Sequence, residues 1–169
     1  GKEVKTQLEQ VVAKIGAGNM KILVCGPAAE LEKLKPVLGP RGARFIPLEA
    51  GALKLGYTPS SGQDTHITIL PEFTIPAGKM ASAKEALPKF AAATKSGTGA
   101  TNGIYYGFGI EGDSVFAREG YKDAAACAAH SADVKAMLEG PMKELGQGGV
   151  KINVVGPKSQ LDMLRPKLE

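Results

Sequence analysis

The phrase KILVCGPAAELEKLKP, beginning at Lys21, returns as KINVVGPKSQLDMLRP from Lys151. Laid over each other without gaps, Val4–Leu38 and Val134–Leu168 share 15 of 35 positions, among them Gly16, Gly18, Gly26, Pro27, Leu31 and Leu34 of the first copy. Composition alone would give roughly two identities. The chain is therefore built on an internal repeat, and whatever fold it adopts must hold this phrase twice as the same local module. The chain begins at Gly1, already inside a copy. The expected reading is a product processed from a longer precursor.

Residue spacing gives that module its elements. Val4, Leu8, Val11, Val12 and Ile15 recur at helical intervals, predicting a helix over residues 4–15 that the glycines of GAGN end. MKILVCG reads as a strand. The following helix opens at Pro27, where a missing N–H costs nothing, and carries Leu31, Leu34 and Leu38 on one side. ARFIPLEAG is expected as a short strand kept to a sheet edge by Pro47, which cannot donate to a ladder. KLGYTPSSGQD, residues 54–64, has linker composition.

From Thr65 a second unit begins. HITILPEF is a strand with Ile67 and Ile69 on one face. The helix after AGKM turns Met80, Leu87, Phe90 and Ala91 inward and is disturbed by Pro88. GIYYGFGI and SVFAREGY flank EGDS as a tight hairpin. Asp123 can cap an Ala-rich helix by accepting from free N–H groups of its first turn, and Gly140 and Pro141 should break or kink that helix. VKINVVG and PKSQLDMLRPKL supply a last strand and helix. The order strand, helix, strand, strand, helix, strand, helix predicts an α+β, ferredoxin-like unit: an antiparallel sheet with helices on one face. The expected domains are residues 1–53 as the C-terminal part of one copy, 54–64 as linker, and 65–169 as a near-complete second copy. A half-unit with one central strand cannot bury its own apolar face. It should dock on the complete unit or on another chain, so homo-oligomers or other protein partners, reached through sheet faces and edges, are expected.

Bulk properties narrow the function. The net charge is +4, the lysines are scattered, and no basic run alternates with aromatics, which argues against a nucleic-acid surface. No apolar run reaches the roughly 20 residues that span a bilayer; peripheral association with a membrane complex stays open. Cys25 and Cys127 have neither metal nor redox spacing and read as small buried hydrophobes. Nothing demands an oxidising compartment, so a soluble intracellular or organellar protein is expected.

The motifs are sparse. GFGIEG, Gly107–Gly112, satisfies G-x-G-x-x-G literally. A dinucleotide loop must follow a strand and open a helix, whereas this one sits in a hairpin. GPAAEL and GPKSQL read as strand-to-helix punctuation, since no Lys-Ser/Thr phosphate signature follows. His66 and His130 are the only imidazoles, and neither has a partner at metal-ligand spacing; no metal or cofactor is expected. His130 lies in the Ala-rich helix, where small neighbours can leave a cavity above the sheet, so it is the first choice for an acid, base or donor. Alternation sends Tyr106 and Phe108 to one face of the hairpin and Tyr105 to the other, and separates Arg118 from Glu119 likewise.

The phrases HITILPEFTIPAGKM and YYGFGIEGDSVFAREGYKDAAACAAHSADVKAMLE resemble the antibiotic biosynthesis monooxygenase superfamily, especially a branch in which REGY-D precedes an Ala-rich helix ending in His. The resemblance covers Thr65 to Glu169. It implies a ferredoxin-like unit of the dimeric α/β-barrel type. For function it implies two readings. One is a cofactor-independent monooxygenase-like enzyme acting on a small apolar or phenolic substrate between sheet and helices. In it His130 moves a proton, Tyr106 or Asn102 orients the substrate, and Phe108, Tyr105, Arg118 and His66 line the pocket. The other, favoured by the broken repeat and the meagre polar equipment, is a non-catalytic accessory subunit of a larger assembly. The haem-degrading members resemble one another in an Asn, Trp and His set, and this chain has no Trp.

Overall fold

The computed structural model describes Thr6, Glu9, Gln10 and Lys14 together with residues 21–56, 65–146 and 148–168. Those four early residues are helical. The rest of the helix expected over 4–15, the GAGN segment and residues 57–64 of the expected linker lie outside the described residues. The chain divides into two compact units, Gly1–Pro47 and Leu48–Glu169.

In the first unit, strand β1 (Leu23–Gly26) runs parallel to the opening of β2 (Arg44–Lys54), with Leu23 opposite Arg44 and Gly26 opposite Pro47. Helix α1 (Ala28–Leu38) makes the crossover that a parallel pair requires. It starts where the Pro27 carbonyl accepts from the N–H groups of Glu30 (3.0 Å) and Leu31 (3.1 Å). A 3₁₀ turn at Gly39–Arg41 ends on Gly42, whose φ of 73° suits glycine alone. Leu31 and Ile46 are buried, while Leu23, Leu34 and Val37 remain exposed.

In the second unit the sheet order is β2–β4–β5–β3–β6, antiparallel throughout. Its strands are β2 from Leu48 on, β3 (Ile67–Thr74), β4 (Gly103–Glu111), β5 (Ser114–Tyr121) and β6 (Val150–Val155). β2 is longer than the short strand its sequence predicts. Beyond it the Leu55 N–H donates to the Ile104 carbonyl (3.0 Å) and the Gly56 N–H to that of Ala100 (2.9 Å). Helix α2 (Met80–Ser96), the single turn α3 (Gly99–Asn102), α4 (Ala124–Leu145) and α5 (Lys158–Leu168) complete the unit. From β3 onward this is the βαββαβ order of a ferredoxin-like fold, with the first and third strands central.

Local chemistry explains the joints. Gly112, at φ 60°, turns the β4–β5 hairpin, and Glu111 faces Ser114 across it. The Asp123 carboxylate accepts from the Ala126 N–H at 2.7 Å and starts α4, as its position predicts. Gly140 and Pro141 do not break this helix. It continues to Leu145 because Pro141 forfeits only the bond to the carbonyl four residues back, and flanking turns carry the rest. Pro88 and Pro166 likewise sit inside α2 and α5.

The repeated phrase forms a strand, a Gly-Pro turn and a helix in both places. At the start of α5 the Pro157 carbonyl accepts from Gln160 (2.9 Å) and Leu161 (3.0 Å), matching Pro27. Burial differs. Leu34 is 40% exposed, whereas its counterpart Leu164 is 1% exposed, packed with Ile67, Tyr121 and Cys127. Period-2 alternation gives the sheet one apolar face, where Tyr106, Phe108, Val115 and Ala117 meet Leu87, Phe90 and Val134.

Candidate functional site

Between the sheet and α2 and α4 of the second unit lies a cavity of about 440 Å³. That is the size of a small-molecule site. Its walls are mostly apolar: Phe73 and Ile69 from β3, Ala86 and Phe90 from α2, Phe108 from β4 and Val134 from α4. Ala83 and Ala86 of α2 line it and leave this room, because alanine keeps the helix while filling little volume, whereas the alanines that open α4 pack against Ile67, Tyr121 and Leu164 instead.

Polar groups gather at one place in this wall. Tyr106, Glu119 and His130 all line the cavity, brought there by β4, β5 and α4. His130 is 3% exposed. Its ring stacks on Tyr121 (centroids 5.2 Å, planes 28° apart) and meets the edge of Tyr106 (5.4 Å, 66°). Its Nδ1 is sealed and has no hydrogen-bond partner among the described residues. Burial therefore pushes the imidazole down to about 4, against a weaker upward pull from Asp133. His130 is neutral at physiological pH.

Glu119 takes the opposite direction. Burial drives its carboxyl up to about 7, and only the hydrogen bond from Tyr121 opposes this. That bond runs from Tyr121 Oη to Glu119 Oε2 at 2.7 Å. Tyr121 is completely buried and Tyr106 nearly so. Burial first, then the Glu119 charge, hold both phenols well above their ordinary ionisation. Both stay protonated at neutral pH and so keep a hydrogen to donate. Cys127, also buried, is pushed up to about 12 by burial and by Glu119, so it is a thiol with no nucleophilic character. The arrangement is an apolar chamber with a carboxyl that titrates near neutrality, a neutral imidazole and protonated phenols. It can hold an uncharged molecule, donate to its oxygen and exchange a proton with it.

The expected residues separate into two groups. His130, Tyr106 and Phe108 come together at the cavity. Tyr105 and Arg118 meet each other instead, the guanidinium 4.2 Å from the ring centroid, on the opposite sheet face. There the Tyr105 hydroxyl is 2.6 Å from Thr68 Oγ1, and its ring lies over Gly120, where a Cβ would come within 2.6 Å of it. Asn102 closes α3, its carbonyl accepting from the Lys122 N–H at 3.0 Å, and it does not line the cavity. His66 precedes β3 and does not line it either. Glu119 was not singled out by the sequence. The available signal was its two-residue spacing from Ala117 and Tyr121, which puts a carboxylate on the apolar face of a strand. Among the described residues no three His, Cys, Asp or Glu side chains come together as a metal site. None of their helices is long and apolar enough to cross a membrane.

No protein-family model and no curated protein matches the chain. Solved structures do. MupZ from Pseudomonas fluorescens is similar over 66% of this chain and 84% of its own, at 24% identity and a TM-score of 0.56. A Shewanella oneidensis protein, SO0527, matches 56% of this chain and 93% of its own at 19% identity and TM-score 0.49. A NIPSNAP family protein from Agrobacterium tumefaciens matches 60% and 93%, at 15% identity and TM-score 0.38. The likeness to MupZ shows the fold, which is α+β and ferredoxin-like.

Proposed function

We propose that the second unit is a small cofactor-independent enzyme of the monooxygenase-like kind, taking an apolar or phenolic molecule into the cavity. The observation that carries this reading is the chamber of about 440 Å³ that reaches both His130 and Tyr106. A filled core at that place would have left no room for a substrate. Phe108 and Phe90 offer ring faces to an aromatic guest, and Tyr106, kept protonated, donates to its oxygen. A fused-ring phenol with an oxidisable ring methylene fits this setting. Molecular oxygen would be the oxidant, one atom becoming the ring carbonyl and the other leaving as water with the two methylene hydrogens.

In this reading residues 1–53 are the C-terminal part of another repeat copy, residues 54–64 join the copies, and residues 65–169 are the working copy. A second reading, an accessory module of a larger assembly, is favoured by Ile152 (52% exposed) and Val155 (59% exposed) on the outermost strand β6. Another chain, or a second copy of this one, could pair there.

Oxygen uptake separates the two. An oxygen electrode with a panel of two- and three-ring phenols that each carry a ring methylene should record uptake by the wild type that falls at least tenfold in Tyr106→Phe. No uptake across the panel would overturn the enzyme reading in favour of the accessory one.

A further inference from the structure

Glu119 raises a question of its own. A carboxyl on the buried face of a central strand is costly unless ionic partners compensate it. None does among the described residues: the charged or titratable groups around it are Tyr121 on its own strand, Tyr106 on β4, and Cys127 and His130 on α4. From β3 it faces Ile69. Lys79, just before α2, lies at the cavity wall, but that ammonium pairs with Glu144 at 3.3 Å. Tyr121 fixes one carboxyl oxygen from behind, and the residue as a whole lines the cavity. This is the geometry of a positioned proton carrier.

We propose that Glu119, anchored by Tyr121, is the group that takes the substrate's proton and returns it, and that the cavity selects uncharged molecules bearing a weakly acidic hydroxyl. The inference rests on the cavity being a ligand site. His130 is the obvious rival for the role, but an imidazole that titrates at about 4 accepts a proton far less readily than a carboxylate that titrates at about 7. The step needs no co-reactant. The hydroxyl O–H breaks, Glu119 Oε gains the hydrogen, and the charge moves to the substrate oxygen, where Tyr106 donates. A carboxylate substrate is rejected, because its charge would sit beside Glu119, and the one lysine among the described wall residues, Lys79, is paired with Glu144.

The probe is 2-naphthol, uncharged between pH 5.5 and 8.5, with 2-methylnaphthalene as the analogue lacking a hydroxyl. Binding of 2-naphthol to the full chain should tighten about tenfold as pH rises through 7, because an ionised acceptor makes the stronger hydrogen bond. The analogue should bind equally well throughout. Glu119→Gln should abolish the step, and Tyr121→Phe should move it to higher pH, because the lost bond favoured the ionised form. In the wild type, carboxyl ¹³C NMR should place the Glu119 midpoint about one pH unit lower when 2-naphthol saturates, as reciprocity requires. Naphthol binding with no pH step, or a step that persists in Glu119→Gln, overturns the role of Glu119 while leaving the cavity as a ligand site. Failure of both probes to bind overturns the cavity reading and this inference with it.

Discussion

Replacing Glu119 with Gln should uncover a pH dependence that the wild type conceals. In the unfolded chain His130 and Glu119 titrate near their ordinary values of 6.5 and 4.5; folding moves them to about 4 and about 7. Between 6.5 and about 4 the unfolded chain binds a proton at His130 that the folded chain refuses, so acidification removes stability. Between about 7 and 4.5 the folded chain binds a proton at Glu119 that the unfolded chain releases, so acidification adds stability. At about 1.4 kcal/mol per tenfold change in proton affinity, each shift amounts to about 3 kcal/mol. The two are opposite in sign and overlap in range. Wild-type stability from urea unfolding, followed by circular dichroism, should therefore change by less than about 1 kcal/mol between pH 7 and 4.5. Glu119→Gln leaves only the His130 contribution and should lose about 2.5 kcal/mol over that interval. At pH 8, where wild-type Glu119 is half-buried and charged against the apolar wall, the variant should be the more stable protein by up to about 3 kcal/mol. A variant as flat as the wild type, or one less stable at pH 8, would refute the account of this buried pair.

Other substitutions test the surroundings. Ala86→Trp places an indole in the cavity. Because the space is open, it should abolish 2-naphthol binding while thermal unfolding indicates a stability change of less than about 1 kcal/mol. Gly120→Ala puts a Cβ 2.6–2.9 Å from the Tyr105 ring, which must leave Thr68 and Arg118. A loss of about 2 kcal/mol in urea is expected, with 2-naphthol binding retained. Lys79→Ala removes the exposed pair with Glu144 at the cavity wall; stability should stay within about 1 kcal/mol while stopped-flow shows faster probe release.

Much of the fold is legible from local patterns, because each pattern is tied to one physical requirement. Period-2 spacing put Tyr106 and Phe108 on one face and Tyr105 on the other, and a carboxylate before an Ala-rich run identified the Asp123 cap. The repeated Gly-Pro turn accepts two N–H groups in the same way at Pro27 and Pro157. Legibility ended where tertiary packing decides. Gly140 and Pro141 read as a break or a kink, and which of the two is decided by packing: their turn stays helical within α4. Leu34 and Leu164 share a phrase but not an environment, since burial depends on what β3, β5 and α4 bring to Leu164. Glu119 was hidden for a related reason. A charged residue in a strand usually marks the solvated face; the spacing from Ala117 and Tyr121 hints at the opposite, and the register that sets it between Tyr106 and Ile69 settles it.

Methyl NMR decides whether a small apolar molecule enters the cavity beside Glu119, Tyr106 and His130. A titration with 2-naphthol should give saturable one-to-one shifts concentrated on the cavity methyls of Ala86, Val115 and Val134. Shifts that never saturate, or that gather around Tyr105 and Arg118 on the opposite sheet face, would contradict such entry.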